Sequence, residues 1–337
     1  MESEQKSAVD RKQDHILLAF DSATGIQTLD TRFEYDPVHA VHPKEGELWP
    51  AQMAGVSLNY PVWISSMTGG TARAATINQN LARLCGEYKL GMGLGSCRKI
   101  IDQPEFLPDF QVRKWLGDQA LFANLGLAQI EQWILSGKVH LIGEIIKMTE
   151  ANGLIIHLNP LQEFMQAEGD RFQNPPIDSI KKILDDFDFP LIVKEVGQGM
   201  GPKSMEALLN LPLEAIEFGA YGGTNFALLE LMRDHPEKME RFKPLANVGH
   251  TAEEMVKMVN DYKSKHSVHC KNLIISGGVQ HFLDAYYLME ISKMPSIFGM
   301  ASAFLKYAMV SYESLQSFFE DQMKGLLLSK AILTIKS

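Results

Sequence analysis

Residues 154–163 read Leu-Ile-Ile-His-Leu-Asn-Pro-Leu-Gln-Glu, an apolar run that passes directly into polar side chains. The run predicts a short buried β-strand, and parallel barrels keep their functional side chains at the C-terminal ends of the strands. His157 can hold or neutralise an anion, and Glu163 offers a hard oxygen ligand for a divalent cation. Asn159 and Gln162 add neutral hydrogen-bonding groups. This set suits a phosphorylated substrate bound with a metal, although a strand end with a satisfied histidine and a polar turn has the same composition.

Similar apolar runs recur along the chain, separated by stretches of helical length. This alternation predicts a parallel sheet with crossover helices. The 337 residues fit one barrel of about 250 residues with extensions. We therefore predict an α/β fold with a (β/α)8 TIM barrel over residues 46–337 and an N-terminal arm over residues 1–45. The predicted strands are Val62–Ser66, Leu90–Leu94, Leu121–Asn124, Leu154–His157, Leu191–Lys194, Ala215–Phe218, Leu273–Ser276 and Ile297–Met300.

A ninth apolar run, Leu245–Val248, is surplus to an eight-stranded barrel. It leads directly into a helix that Thr251 and Glu254 are expected to start as a capping box. Apolar spacing predicts another helix around residues 77–85, and residues 306–334 resemble one or two closing helices.

Composition limits the classes of partner. The formal net charge of −9 argues against a nucleic-acid surface, because phosphate backbones are bound by clustered Lys and Arg. Three scattered cysteines, no hydrophobic leader and no apolar run of roughly 18–20 residues predict a cytoplasmic protein with no membrane partner. His266, His269 and Cys270 lie close together but lack a fourth ligand at zinc-type spacing, which favours a surface loop.

Glycine and hydroxyl residues follow most of the predicted strands. Glycine lets backbone N–H groups close on a phosphate or a flat ring, and the next helix N-terminus adds a favourable dipole. Repetition around one barrel mouth favours an extended cofactor whose phosphate is held by the last loops, and flavin mononucleotide (FMN) fits best. The turns are residues 65–70, 93–96, 124–126, 222–224 and 276–278.

Two sets of cations stand near the predicted mouth. Lys194 ends an apolar strand, where a lysine can act as a Schiff-base nucleophile, form a rim ion pair or face a cofactor as a fixed charge. Beside a flavin the last role is favoured, because a cation near N1 or O2 stabilises the anionic reduced ring. Arg11 and Lys12 lie in a charged run of the arm. Together with Arg98 they could hold a diphosphate if the arm folds over the mouth.

Taken in order, these motifs resemble the type 2 isopentenyl-diphosphate isomerases, which are flavin-dependent (β/α)8 barrels. The similarity runs from about residue 10 to about residue 305, nearly the whole chain. Its most specific pieces are Arg11-Lys12 with Asp14-His15-Ile16, Ser65 to Gly70, Gly95-Ser96 with Arg98, and residues 156–170, while residues 193–197 and 222–224 agree as well.

The resemblance implies interconversion of isopentenyl and dimethylallyl diphosphate in isoprenoid biosynthesis. Reduced FMN would carry protons through N5, NAD(P)H would keep it reduced, and Mg²⁺ would be required. A homo-oligomer, tetramer or octamer, is also implied. Gln162 would be the catalytic residue beside the alkene, and Glu163 would bind Mg²⁺. The implied substrate-binding residues are Arg11, Lys12, His15, Arg98, His157 and Asn159, of which Arg11, Lys12, Arg98 and His157 would hold the diphosphate. The implied FMN ligands are Ser66, Met67, Thr68, Ser96, Asn124, Lys194, Thr224, Gly277, Gly278, Ala301 and Ser302.

The chain departs from the family pattern in the last loops. Glu217-Phe218-Gly219-Ala220 stands where Asp-Val-Ser-Gly is common, and residues 277–281 and 301–303 lack the arginines often found there. These departures concern the contacts of the FMN phosphate and leave the reaction class unchanged.

Two other functions share this fold. An FMN-dependent 2-hydroxy-acid dehydrogenase needs a histidine base and a carboxylate-binding arginine around its late Gly-Gly turn, where Tyr221 and Thr224 stand here. A non-catalytic barrel that binds a phosphorylated ligand would not need Gln162, Glu163 and Arg98. The isomerase is therefore the function we expect.

Overall fold

Eight parallel strands close into a barrel in the computed structural model of this chain, which describes residues 8–66 and 74–336. The strands follow one another around the barrel in chain order, so the predicted (β/α)8 fold is confirmed. They are β1 (Val62–Ile64), β2 (Gly91–Ser96), β3 (Leu121–Gly126), β4 (Gly153–Leu158), β5 (Leu191–Glu195), β6 (Ala215–Glu217), β7 (Asn272–Ser276) and β8 (Ser296–Met300). Each overlaps one of the eight predicted runs.

Most helices connect successive strands of the barrel, as crossover connections require, while the first belongs to the N-terminal arm and the last two follow the final strand. They are α1 (Ala8–Leu18), α2 (Ala74–Tyr88), α3 (Arg98–Asp102), α4 (Arg113–Leu116), α5 (Leu127–Leu135), α6 (His140–Thr149), α7 (Pro160–Met165), α8 (Pro176–Asp186), α9 (Pro202–Leu209), α10 (Phe226–Arg233), α11 (Pro236–Ala246), α12 (Ala252–Lys263), α13 (Phe282–Glu290), α14 (Ser302–Ala308) and α15 (Tyr312–Ile332). Short 3-10 turns span Ile26–Thr28 and Pro104–Asp109. The last two helices are the predicted closing helices.

The surplus ninth run is not a strand, as predicted. Its first two residues end α11, and the following residues lead into α12. The Thr251 hydroxyl accepts a hydrogen bond from the Glu254 N–H, and the Glu254 carboxylate accepts one from the Thr251 N–H at 2.8 Å. The predicted capping box is therefore present and fixes the start of α12.

A hairpin closes the N-terminal end of the barrel. Its strands, Ala51–Met53 and Val56–Leu58, pair antiparallel. The Ala54 N–H between them donates to Glu214, which directly precedes β6, at 2.6 Å. Met53 and Leu58 are fully buried in the cluster that fills the lower interior of the barrel. Since apolar packing fills this end, the opposite, C-terminal end is where a ligand can enter.

The N-terminal arm is tied to the barrel through its second half. Phe33–Tyr35 pairs antiparallel with Leu333–Ile335, near the end of the chain. Arg32 Nη1 donates to Asp284 Oδ1 at 2.9 Å, which fixes the arm beside the loop that follows β7. The boundary at residue 45 and a role of the arm in binding stay predictions. Within the described ranges, no helix is long and apolar enough to cross a membrane.

Candidate active site

A cleft opens at the C-terminal ends of β1 and of β5 to β8. Its wall consists of the loops that follow these strands, which closure of the barrel brings together from distant parts of the sequence. Seven predicted cofactor residues line it, namely Ser66, Lys194, Thr224, Gly277, Gly278, Ala301 and Ser302. The predicted clustering of the late glycine loops at one mouth is thus observed.

Bare backbone forms one wall of this cleft. Gly277 and Gly278 have φ angles of +83° and +75°, in the left-handed region that favours glycine. A Cβ atom on Gly277 would lie 2.1 Å from the Ala220 carbonyl oxygen, and one on Gly222 would lie 3.1 Å from Gly278 Cα. The loop after β6 and the loop after β7 therefore contact each other through backbone atoms. Such a surface lets main-chain groups approach a phosphate or a flat ring closely.

Several buried polar atoms along the cleft have no partner among the described residues. They are Ser65 Oγ, Ser66 Oγ and both carboxylate oxygens of Glu217. Buried polar groups in folded proteins are nearly always hydrogen-bonded, so this concentration indicates that a polar ligand supplies the missing partners. A flavin with its ribityl chain carries N–H, O–H and C=O groups, and the residues present fit it.

An imidazole, an ammonium and a carboxylate stand side by side inside the barrel. His157 on β4 is in register with Lys194 on β5, and Lys194 is in register with Glu217 on β6. Residues at one register position share a face of the sheet, and Lys194 and Glu217 both line the cleft. Lys194 is buried, and its Nζ donates to the Glu195 carbonyl at 2.9 Å. A fixed positive charge is thus held beside the cleft.

His157 is uncharged at neutral pH in this environment. Its Nδ1 lies 2.8 Å from Asn124 Oδ1, which makes Nδ1 the donor in this arrangement. Desolvation by the surrounding protein, helped by the charge of Lys194, lowers the pKa of His157 to about 3. The ring can therefore hydrogen-bond to a ligand, and it would carry charge only if a bound anion raised this pKa.

The helix α7 presents Gln162 and Glu163 near the end of β4. Pro160 opens the helix, and Asn159 precedes it. Asn159 Nδ2 donates to Gln162 Oε1 at 3.2 Å and to Glu163 Oε1 at 2.9 Å, while the buried Asn159 Oδ1 has no partner among the residues that the structure describes. Gln162 Nε2 donates to Glu230 on α10 at 3.3 Å. Hydrogen bonds to neighbouring residues thereby orient both side chains.

Arg98 joins this network through Asp170. Arg98 Nη1 donates to Asp170 Oδ2 at 3.3 Å, and the Asp170 N–H donates to Glu163 Oε2 at 2.9 Å. In the described part of the chain, no three His, Cys, Asp or Glu side chains are grouped to hold a metal ion. A Mg²⁺ ion at Glu163 would therefore need oxygen ligands from a substrate. His266, His269 and Cys270, all among the described residues, form no such group either.

Some predicted site residues lie away from the cleft. Ser96 at the end of β2 is the register partner of Asn124 within β3, but neither lines the cleft. Their contact with a cofactor stays a prediction. The exposed residues of α1 include Arg11, Lys12 and His15. Outside the described residues lie Met67 and Thr68.

The roles of Glu195 and Glu217 did not emerge from the motifs. Glu195 Oε2 accepts hydrogen bonds from the three N–H groups of residues 197–199 at 2.7, 2.6 and 3.0 Å, which fixes the loop after β5. Burial outweighs these donations and raises the pKa of Glu195. The signal for Glu217 was the alternation along β6, which places it on the same inner face as Ala215.

Comparison with known proteins supplies close relatives. No protein-family model matches the chain. The chain is 32% identical over 347 residues to the isopentenyl-diphosphate delta-isomerase of Rickettsia rickettsii (strain Sheila Smith), covering 100% of this chain and 97% of that protein. It is 34% identical over 327 residues to the isopentenyl-diphosphate delta-isomerase of a Nostoc species, covering 94% of this chain and 89% of that protein.

Solved structures share the barrel at low sequence identity. A mandelate oxidase variant with an FMN adduct gives a TM-score of 0.56 at 9% identity, over 90% of this chain and 88% of that one. A flavocytochrome b2 variant with sulfite bound gives 0.54 at 13% identity, over 89% of this chain and 72% of that one. At these identities the likeness shows the fold alone.

Proposed function

Because this chain belongs to the isopentenyl-diphosphate delta-isomerase family, we propose that it interconverts isopentenyl diphosphate and dimethylallyl diphosphate in isoprenoid biosynthesis. The proposal includes reduced FMN, NAD(P)H as its reductant, Mg²⁺ and a homo-oligomeric state, tetramer or octamer. The observation that carries it is the cleft, in which seven residues expected for FMN meet beside unpartnered polar atoms.

In this proposal FMN is held by backbone and hydroxyl groups with one fixed cation. Ser66, Thr224 and Ser302 supply side-chain hydroxyls, and the Gly277-Gly278 turn supplies close backbone. Lys194 lines the cleft with its ammonium held by the Glu195 carbonyl, and we assign it the fixed-charge role beside the flavin. When bound in its reduced form, FMN supplies a proton donor and acceptor at N5 for the allylic proton shift.

Gln162 is proposed to orient the substrate at the reacting carbons. A carboxamide has no useful pKa and cannot serve as a general base, but it can position an alkene or relay a hydrogen bond. Its hydrogen bonds to Asn159 and Glu230 hold it in one orientation, which suits a positioning task.

The diphosphate is proposed to bind between the network around Arg98 and the N-terminal arm. Arg98 is exposed and shares Asp170 with Gln132, so a diphosphate can replace a carboxylate as its partner. His157 and Asn159 add hydrogen-bonding groups at the end of β4. The arm would close over the mouth and add its charged residues, Arg11, Lys12 and His15.

Glu163 is proposed to bind Mg²⁺ only together with the diphosphate. One carboxylate beside neutral amides is too little for a dedicated protein cage, and Mg²⁺ commonly takes phosphate oxygens and water as its other ligands. In the free protein both oxygens of Glu163 accept hydrogen bonds, from Asn159 and from the Asp170 N–H. Metal binding would exchange part of this network for coordination.

A direct assay separates this function from the two alternatives. Purified protein with FMN, Mg²⁺ and NADPH should convert isopentenyl diphosphate to dimethylallyl diphosphate without net consumption of NADPH. Rapid flavin reduction by mandelate or lactate would favour the 2-hydroxy-acid dehydrogenase instead. Flavin or phosphate binding with neither reaction would favour the non-catalytic barrel.

A further inference from the structure

Glu217 is the least satisfied charged side chain of the cleft. It is the last residue of β6, its exposed fraction is 1%, and it lines the cleft. Neither of its carboxylate oxygens has a hydrogen-bond partner among the described residues. An isolated carboxylate in such surroundings is costly unless something else pairs with it.

The other buried glutamates in the described ranges are all paired, which makes Glu217 an exception. Glu195 accepts three backbone N–H groups, and Glu214 accepts from the Ala54 N–H and pairs with Lys271 at 2.9 Å. The remaining two are Glu131, bound by the loop at residues 173–174, and Glu230, paired with Arg233. Two buried glutamates line the cleft, Glu195 and Glu217, and among the described residues only Glu217 has no partner for its carboxylate.

Lys194 does not neutralise Glu217 in this structure. The two residues are register partners on neighbouring strands, yet the Lys194 ammonium donates to the Glu195 carbonyl. Two opposite charges therefore face the same cleft from adjacent strands. A ligand seated there meets a donor at Lys194 and an acceptor at Glu217.

We propose that Glu217 binds the flavin directly, accepting a hydrogen bond from a ring N–H or a ribityl hydroxyl, and that its charge opposes that of Lys194. This inference rests on the proposed FMN site. The paired charges would set the electrostatic environment of the ring, because a carboxylate disfavours negative charge on the reduced flavin and an ammonium favours it.

The test compares Glu217→Gln with a matched variant, Glu214→Gln, at the other end of the same barrel. FMN titrated into each apoprotein should bind Glu217→Gln about tenfold more weakly than wild type, because a charge-assisted hydrogen bond becomes a neutral one. Glu214→Gln should retain wild-type affinity. The apoproteins should also differ in thermal stability. Glu217→Gln should melt no lower than wild type, since it removes an unpaired charge, while Glu214→Gln should melt lower because it breaks an ion pair.

The midpoint potential of the bound flavin gives a readout that a merely structural role would not move. It should shift to more positive values in Glu217→Gln and return towards the wild-type value in Glu217→Asp, which keeps the charge. Wild-type affinity and wild-type potential in Glu217→Gln would overturn the inference. Failure of the wild-type apoprotein to bind FMN at all would instead overturn the proposed function, so the two failures are distinguishable.

Discussion

Replacing Gln162 by alanine should lower the catalytic rate strongly and the stability of the fold only slightly. In the free protein Gln162 makes two hydrogen bonds of 3.2 and 3.3 Å. After truncation Asn159 still donates to Glu163, and Glu230 still accepts from Arg233 at 2.7 Å. Because Asn159 and Glu230 each keep another hydrogen bond, the free energy of unfolding should fall by only about 1 kcal/mol.

The catalytic step should respond much more strongly. If Gln162 orients the substrate beside the flavin, its loss should remove at least about 2.7 kcal/mol of transition-state stabilisation, on the order of a hundredfold in kcat. FMN affinity should be unchanged, since Gln162 does not line the cleft. The assay is turnover of isopentenyl diphosphate by the reduced enzyme, with urea unfolding and FMN titration in parallel.

A matched control comes from the end of the same helix. Gln166 lies at the C-terminus of α7 and donates to the exposed Glu168, so Gln166→Ala should leave kcat unchanged. Full turnover by Gln162→Ala would refute the positioning role of Gln162, and another side chain would then have to orient the substrate. A loss of FMN together with activity would show that Gln162 is structural.

Three further perturbations test other parts of the site. Glu163→Gln should raise the Mg²⁺ concentration needed for half-maximal activity without changing FMN affinity, and a loss of FMN would mean that Glu163 is structural. Gly277→Ala should abolish FMN binding and destabilise the protein by more than about 2 kcal/mol, because the added Cβ meets backbone at 2.1 Å. Gly46 also has a positive φ, +73°, but a Cβ atom added there would meet nothing within 4 Å. Gly46→Ala should therefore lower the free energy of unfolding by only about 1 kcal/mol. Equal losses of stability for the two variants in urea unfolding would contradict the packing argument. Since the folded-state pKa of His157 is lowered to about 3 from 6.5, the unfolded chain binds the proton first, and the free energy of unfolding should fall as the pH drops below about 6.5. His157→Gln should flatten that decline between pH 6 and pH 4, and an unaltered profile would show that this histidine is not the group responsible.

The barrel was predictable because its signals are local. Each strand is a short apolar run followed by a turn, and the Thr251 capping box excluded the one surplus run. The late glycine loops were recognisable as one mouth, since parallel strands deliver their C-terminal ends to a single side. Closure of the barrel then brought Lys194, Thr224 and Gly277 together as expected.

The unpredicted features depend on pairings between distant residues. Asp170 links Arg98 to Glu163 through one side-chain and one backbone contact, and no spacing rule indicates such a bridge. The isolation of Glu217 is a property of its surroundings and becomes visible only when every neighbouring donor has been assigned. The low pKa of His157 likewise arises from burial and from a charge on the adjacent strand.

We propose that this cleft binds a reduced flavin, which exchanges protons with an isoprenoid diphosphate. The most direct test is to incubate the FMN-loaded protein with isopentenyl diphosphate in D₂O, once with the flavin reduced by NADPH or dithionite and once oxidised, and to follow deuterium incorporation by NMR. We expect dimethylallyl diphosphate carrying deuterium from the reduced sample alone. Equal conversion by oxidised or flavin-free protein would contradict it.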